Sequence, residues 1–500
     1  MERSYLIGAL TSKPYSFKTR SWELSSIETI TFSEASGSKV RLDLRGLEIL
    51  RILPRQHERL NEDWISDKVR FGFDGLKYQR LDCPLMKVSG NLIPVKWKEV
   101  GKFLKKFNEK QFGLRFLEGL VGSYVELESM VSFKAMINSS GSSFFETRVD
   151  GSQESNDIMY SYANRLVETF KTVGAVVLVG LNPRYELPIL NIKLRRQSIV
   201  IWKVERRAIV NVLGFGMNVT YAIQHYGNKA ISLLRVVEGR HELSKVVTKQ
   251  TTNMMIGMGG IQRIDGSWLS RVTNYLSQKQ IYRVVVSIIP VTISRVGGLM
   301  VGLVNNYVWP VKFHKTLYVV KWLIMIGMDD VSICKKTYDL VVYQGHHGDR
   351  LATEANIVLP ATSPLEKSGF FLNFEGLVQL MKYVYEAPGE AKIDWKIFNF
   401  LSKYLQIEVN FDSYQSLYKR LQTYCPISGS VGVYNLNFVQ KIKQELLNMN
   451  KFFESRVYQG VVTNFVEDFY LMDTISRASL VMTITKKRLM PTVGYSNYKV

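Results

Sequence analysis

Cysteine is scarce in this sequence. Its 500 residues include three cysteines, Cys83, Cys334 and Cys425, and none of them belongs to a C-x-x-C pair. A secreted protein built on several disulfides is therefore excluded. An iron–sulfur cluster held wholly by this chain is not expected either, because such clusters ordinarily take four cysteine ligands.

Long apolar runs without charge are missing as well. The two most apolar stretches, residues 284–304 and 317–328, contain Arg295 and Lys321 respectively. A membrane-spanning helix needs about 20 predominantly apolar residues, so these stretches predict buried strands and helices instead. The N-terminus shows no apolar signal-peptide region.

The composition is that of a globular protein, with 46% hydrophobic and 22% charged residues. It excludes wholesale disorder, and the length predicts about two to four domains. The net charge is +21, and the densest basic run lies within residues 193–207: Lys193, Arg195, Arg196, Lys203, Arg206 and Arg207. Such a run faces nucleic acid, solvent or an acidic partner subunit. We disfavour nucleic acid, because no RNA-binding or helix-turn-helix signature accompanies the run.

Hydrophobic periodicity predicts the main elements. A small antiparallel β unit is indicated by short β-prone runs between Ser/Gly turns, at residues 27–32, 39–44 and 48–53. An amphipathic helix near Lys98 is predicted by apolar side chains at helical spacing, namely Val100, Phe103, Leu104 and Phe107. The polar stretch 139–155 predicts a long surface loop. The chain turns helical from about Asp394, with a helix near residues 438–453 and a loose tail over the last ten residues.

Buried parallel strands are predicted by three continuous apolar runs, at residues 173–180, 339–344 and 355–359. The loops that follow these runs begin at Gly180, Gly345 and Pro360. Ligands of open α/β sheets bind at such carboxyl ends.

Standard catalytic signatures are absent: there is no Walker-type loop, G-x-S-x-G elbow or H-E-x-x-H helix. The cluster 257–260 (Gly-Met-Gly-Gly) does not match a dinucleotide-binding motif. A metal site or general base at His346, His347 and Asp349 is one interpretation. We favour a loop that caps its strand, because adjacent side chains rarely converge on one ion, and the same holds for His57 beside Glu58. No catalytic, cofactor-binding or metal-binding residue is therefore predicted.

Several collinear blocks cover almost the whole chain and together resemble one family, the large iron–sulfur subunit of respiratory complex I (NADH:ubiquinone oxidoreductase). The main blocks are GALTSKPY (8–15), RILPRQH (51–57), NEDWISDK (61–68), LVGLNPR (178–184), YQGHHGD (343–349) and DFYLMDTISRAS (468–479).

The resemblance implies where the clusters lie. In the family, a ferredoxin-like region with one 2Fe–2S and two 4Fe–4S clusters precedes the first block, and its last cluster cysteine falls at Tyr5 of this sequence. The chain begins four residues before Tyr5. We therefore expect the carboxyl-terminal portion of a split subunit, with no cofactor in this chain and the clusters in a separate ferredoxin-like partner chain.

The remaining portion resembles molybdopterin-dependent oxidoreductases. In those enzymes, loops like residues 180–183 and the segment around Glu375 and Gly376 help to bind pterin guanine dinucleotides. The arginine that usually follows is Leu377 here, and residues 20–75 carry no cysteine. The resemblance thus implies a relic fold without the molybdenum cofactor.

The expected architecture is a small N-terminal antiparallel β unit, then mainly parallel-sheet α/β subdomains of the molybdopterin oxidoreductase type, then a helical C-terminal segment. The expected divisions are a linker (1–19), a small β domain that has lost its cluster (20–76), the α/β region (77–410) and a C-terminal helical segment with a tail (411–500).

The function implied is that of a non-catalytic structural subunit in the peripheral arm of complex I, supporting the iron–sulfur electron path from NADH to quinone. The expected location is the matrix side of the mitochondrial inner membrane, with a bacterial cytoplasmic face as the alternative. Partners are other peripheral-arm subunits and the cluster-bearing chain, contacted through residues 8–15 and 51–77; nucleic acid is not expected, and membrane association arises only through the complex. The alternative function is an active molybdopterin-dependent oxidoreductase.

Overall fold

The computed structural model describes residues 12–110, 117–152, 173–205, 209–263, 265–278, 284–304, 322–328, 338–409, 411, 413–426, 431–432, 460–463 and 468–489. Its helices are α1 Asp67–Phe71, α2 Trp97–Lys110, α3 Leu127–Ser139, α4 Pro183–Glu186, α5 Pro188–Glu205, α6 Ile231–Val237, α7 Glu242–Lys249, α8 Met258–Ile261, α9 Gly266–Gln278, α10 Ser294–Val301, α11 Arg350–Glu354, α12 Asp394–Leu405, α13 Tyr414–Tyr424, α14 Thr474–Ala478 and α15 Leu480–Leu489. Short 3-10 turns cover Ser21–Glu23, Gly72–Lys77 and Pro364–Glu366.

The first unit is an antiparallel sheet in the order β1-β2-β3, formed by Ser25–Ile30, Lys39–Arg45 and Glu48–Pro54. Gly46 supplies the positive φ, +61°, that the tight β2–β3 turn requires. One face of the sheet packs on α1 and the following 3-10 turn through Leu42, Val69 and Phe73. This confirms the predicted antiparallel unit.

The central sheet has seven strands in the order β5-β4-β15-β14-β13-β6-β7. The parallel strands are β6 Leu117–Val121, β7 Phe144–Glu146, β13 Trp322–Ile326, β14 Leu340–Gly345 and β15 Ile357–Pro360. A hairpin of β4 Leu85–Val88 and β5 Asn91–Pro94 adds an antiparallel edge. The inner strands are apolar because helices cover both faces of a parallel sheet.

A second sheet contains five parallel strands in the order β10-β9-β8-β11-β12. They are β8 Ala175–Val179, β9 Val210–Leu213, β10 Ile223–His225, β11 Thr252–Ile256 and β12 Val284–Ile288. A separate antiparallel hairpin pairs β16 Gly369–Leu372 with β17 Val378–Met381. The predicted α/β class with buried parallel strands is therefore confirmed.

Helix α2 follows the predicted spacing, with Val100 and Leu104 buried and Phe103 toward solvent. The predicted surface loop over residues 139–155 is wrong for its described part. There α3 runs to Ser139 and β7 follows, after which Glu146 and Arg148 are both buried. Arg148 donates to Glu146 at 2.8 and 2.7 Å, so polar side chains that suggested a surface neutralise each other inside the protein.

Other predictions fall outside the described part of the chain, namely the helix at 438–453 and the tail at 491–500. The four domain divisions stay predictions. No described helix has the length and apolar character to cross a membrane.

The N-terminal unit is joined to the C-terminal helices by a buried ion pair. Lys68 Nζ lies 2.5 Å from Asp473 Oδ2, and both side chains are buried. Burial alone raises the pKa of Asp473, but the ammonium of Lys68 outweighs it and holds that pKa below its usual value. Asp473 also caps α14 by accepting from the N–H of Ser476.

Replacing Lys68 with Met leaves the carboxylate of Asp473 buried without its cation. We expect Lys68→Met to lower the free energy of unfolding by about 3–5 kcal/mol. The matched control is Lys77→Met, which removes an exposed pair with Glu48 and is expected to cost less than about 1 kcal/mol. Urea denaturation followed by circular dichroism measures both; equal losses contradict a stabilising role for the buried pair.

Candidate functional site

The carboxyl edge of the five-stranded sheet is lined by glycines. Gly180, with φ +56°, ends β8, and Gly257 follows β11. A Cβ on Gly257 would lie 2.5 Å from the carbonyl oxygen of Gly180, and one on Gly259 would lie 2.0 Å from that of Thr463. These glycines are therefore needed for close contact within the chain itself, which fills the edge.

A buried carboxyl group closes the same edge. Glu186 accepts from the N–H of Asn182 at 2.7 Å and from that of Met258, at the start of α8, at 3.3 Å. Backbone N–H groups at a helix start commonly bind the anionic part of a ligand; here the chain's own side chain takes that position. Burial raises the pKa of Glu186 to about 8.

The seven-stranded sheet ends in the two histidines that follow β14. The Nδ1 atoms of His346 and His347 lie 2.5 Å apart, and His347 Nε2 lies 2.9 Å from the carbonyl oxygen of Gly75. That oxygen can only accept, so His347 carries its proton on Nε2 and accepts at Nδ1 from His346. Burial lowers the pKa of His347 to about 4 and that of His346 well below its usual value, and both rings are neutral at pH 7.

Asp349 and His57 also bind neighbouring groups. Asp349 caps α11 through the N–H of Arg350 and accepts from Arg477 at 2.6 and 3.0 Å. His57 Nδ1 accepts from the N–H of Leu60 at 3.3 Å. Within the described ranges there is no group of three or more His, Cys, Asp or Glu side chains suited to a metal ion. These contacts support the strand-capping interpretation of the loop.

An ion cluster that sequence reasoning missed lies at the same edge. The ammonium of Lys367 contacts the carboxylates of Glu126 and Asp394, and all three are buried. Gln344, near the end of β14, donates to Asp394 Oδ1 at 2.6 Å, and Ser129 donates to Glu126. Burial lowers the pKa of Lys367, but Asp394 and Glu126 outweigh it and raise that pKa above its usual value. The block 366–368 hinted at importance, but nothing local named its partners.

Two family models match the chain. The one described as "Molybdopterin oxidoreductase" matches residues 80–404. The one described as "NADH-ubiquinone oxidoreductase NDSU1/NuoG-like, 4Fe-4S domain" matches residues 24–74. The prediction that this chain has no cofactor, with its clusters in a separate chain, is wrong by this finding: a 4Fe–4S domain match means that a cluster is expected in this chain itself.

The donor chemistry of the described residues does not fit that cluster. Protein iron–sulfur clusters are held by cysteine thiolates, and residues 24–74 contain none. A cleft of about 460 Å³ beside β1–β3 is lined mostly by apolar side chains, and its charged groups, Lys68 and Asp473, pair with each other. Of the nearest alternatives, Cys83 is partly buried and Cys425 buried.

A pterin dinucleotide does not fit the described residues either. The glycine edge is occupied by the chain's own backbone at Thr463. Leu377, where the related enzymes usually have arginine, is buried, and its N–H and that of Glu375 both donate to Asn373 Oδ1 at 2.8 and 3.0 Å. An apolar side chain there offers no donor to a phosphate.

The raised pKa of Glu186 gives a testable pH dependence. Between its usual value, 4.5, and about 8 the carboxyl stays neutral in the folded chain but ionises on unfolding, so stability falls as pH rises through that window. Glu186→Gln is neutral throughout, and its free energy of unfolding should fall less from about pH 5 to pH 8 than that of the wild type. Glu408→Gln, at an exposed position, is the control in urea denaturation; equal pH slopes for the two variants contradict the prediction.

Relatives agree along almost the whole chain. The NADH-ubiquinone oxidoreductase 75 kDa subunit of Reclinomonas americana is 33% identical over 95% of this chain and 70% of its own length. The NADH dehydrogenase [ubiquinone] iron-sulfur protein 1 of Solanum tuberosum is 31% identical over 95% of this chain and 63% of its own. An NADH-quinone oxidoreductase subunit of the bacterium Rickettsia conorii is 32% identical, covered to 95% and 68%. The chain thus spans about two thirds of these relatives, and it belongs to the family of the 75 kDa iron–sulfur subunit of NADH-ubiquinone oxidoreductase.

Proposed function

We propose that this chain is a non-catalytic structural subunit of the peripheral arm of complex I. The observation that carries the proposal is that the carboxyl edges of both parallel sheets, where α/β proteins bind ligands, are filled by the chain itself. Gly259 contacts Thr463 at one edge, and Lys367 is neutralised by Glu126 and Asp394 at the other. A fold whose ligand positions serve its own packing acts as a scaffold.

The physical contribution is a rigid, water-excluding body beside the iron–sulfur electron path from NADH to quinone. We place the chain on the matrix side of the mitochondrial inner membrane, because several of the relatives are named as mitochondrial. Its partners in this proposal are other peripheral-arm subunits, a ferredoxin-like iron–sulfur chain among them.

The N-terminal unit offers a surface for such a partner. Phe17, Trp22 and Leu47 are 104%, 79% and 70% exposed. Arg45, two residues before Leu47, donates to the backbone oxygen of Lys18 at 3.3 Å and so holds the segment carrying Phe17 beside the β2–β3 turn. Large apolar side chains exposed together are typical of interaction sites, and aromatic residues are common interface anchors.

Parts of the predicted interface differ from this surface. Residues 8–11 lie outside the described residues, and Lys68 is buried against Asp473. Trp64, also expected at the interface, is 50% exposed, and Arg51 stacks on the ring of Tyr15 at 4.4 Å.

Replacing Trp22 with Ser tests this surface. In the host's assembled complex we expect Trp22→Ser to lower the amount of this chain recovered with complex I by about tenfold, because an aromatic anchor contributes at least 1–2 kcal/mol. Val88→Ser, at an exposed apolar position on the β4–β5 hairpin, should leave recovery unchanged. Quantitative mass spectrometry of native-gel bands gives the result. Recovery of Trp22→Ser equal to that of Val88→Ser contradicts the interface.

Metal analysis separates the scaffold from an active molybdopterin oxidoreductase, which the match over residues 80–404 keeps as the second candidate. We expect no stoichiometric molybdenum or tungsten in purified complex I that contains this chain. NADH oxidation per assembled complex should also be unchanged when molybdopterin synthesis in the host is blocked, with a molybdopterin enzyme of the same host as the positive control. Stoichiometric metal, or activity lost with that control, overturns the scaffold proposal.

A further inference from the structure

The second half of α5 exposes apolar and basic side chains together. Leu190, Leu194 and Ser198 are buried under the helix, whereas Val200 and Trp202 are 57% and 42% exposed. Amphipathic surface helices normally direct polar side chains outward. Apolar side chains on the solvent side of α5 therefore need another explanation.

The first half of α5 is held by the N-terminal unit. Lys193 Nζ donates to the backbone oxygens of Arg59 and Leu60 at 2.7 and 3.1 Å. Arg196 Nη2 lies 3.0 Å from Glu62 Oε2. These two cations of the basic run thus serve contacts within the chain, and they fix the helix in place.

A second set of side chains points away from those contacts. Arg195, Ile199 and Trp202 follow one another at i, i+4 and i+7, which places them on one side of the helix, and all are exposed. Lys203, next to Trp202, is exposed as well. We call Arg195, Ile199, Trp202 and Lys203 the α5 ridge.

We propose that the α5 ridge docks on an acidic surface of another protein subunit of the same complex. This inference rests on the proposed function, which places the chain among such subunits. The occupant follows from charge: α5 carries four basic residues and one acidic residue, in a chain of net charge +21. A partner that contacts Trp202 between Arg195 and Lys203 is complementary if it presents an apolar pocket flanked by Asp or Glu side chains.

Trp and Arg are the residues that most often dominate binding energy at interfaces. A ridge made for nucleic acid would track phosphates with cations alone or stack bases on several aromatic rings. Here a single Trp lies between aliphatic side chains, which fits a protein pocket better. Anionic duplex and anionic lipid vesicles therefore serve as competing outcomes of the test.

The experiment uses the complex purified from its host, with this chain carrying Arg195→Glu, Trp202→Ser or the control Lys245→Glu, an exposed cation on α7. We expect Arg195→Glu and Trp202→Ser each to lower retention of one acidic subunit by about tenfold at moderate salt, since loss of an anchor costs 1–2 kcal/mol. Lys245→Glu should retain that subunit, and Arg195→Lys should restore it. A photo-crosslinker at position 202 should attach to that same subunit, beside Asp or Glu residues.

Retention in both ridge variants equal to that in Lys245→Glu overturns the proposal, as does crosslinking of position 202 to lipid or nucleic acid. Thermal melting of each purified complex shows whether a variant has unfolded instead. These results are independent of the metal analysis: a scaffold without a partner on α5 fails the crosslinking test alone, whereas an active molybdopterin enzyme fails the metal test.

Discussion

The buried ammonium of Lys367 is the interaction on which the centre of the α/β region depends. Its two carboxylate partners come from different places: Glu126 directly precedes α3, and Asp394 begins α12. Three charges withdrawn from water are tolerable only while each keeps its partners, and loss of one leaves an uncompensated charge worth several kcal/mol. The cluster therefore fixes α3, α12 and the segment after β15 against the end of β14 with a precision that apolar packing alone does not give.

Strands could be predicted from the sequence where burial produces a local pattern. The apolar runs of β8, β14 and β15 are visible because both faces of a parallel strand are covered, and α2 is visible through Val100 and Leu104. The stretch after α3 was misjudged because Glu146 and Arg148 look solvent-exposed until their pairing is known. For the same reason Lys367 gave no signal: its partners lie far away along the chain, and a buried charge is recognisable only once they are assembled.

The histidine pair marks the limit of sequence reasoning at the candidate site. The order of residues after β14 suggested a strand cap, and the contacts of His347 with Gly75 agree with that interpretation. The tautomer of each ring could not be predicted, since it depends on one backbone oxygen from a distant turn. Family resemblance correctly indicated the fold, yet it led to a wrong expectation for the cofactor, because the matched domain carries the expectation of a cluster even where its cysteines are absent.

The contacts of the turn at Gly72–Lys77 with α14 and α15 have a consequence for the time course of synthesis. A Cβ at Gly75 would lie 1.9 Å from the backbone oxygen of Ile475, and Ser479 donates to Asp74 across a separation of 405 residues. During translation at roughly 5–20 residues per second, the first sheet therefore waits at least about twenty seconds for the segment that covers it. Through that interval its apolar face is exposed to the ribosome's surroundings, and contacts of such long range form slowly. The early part of the nascent chain is thus the part that most needs a chaperone, although it is the first to leave the ribosome.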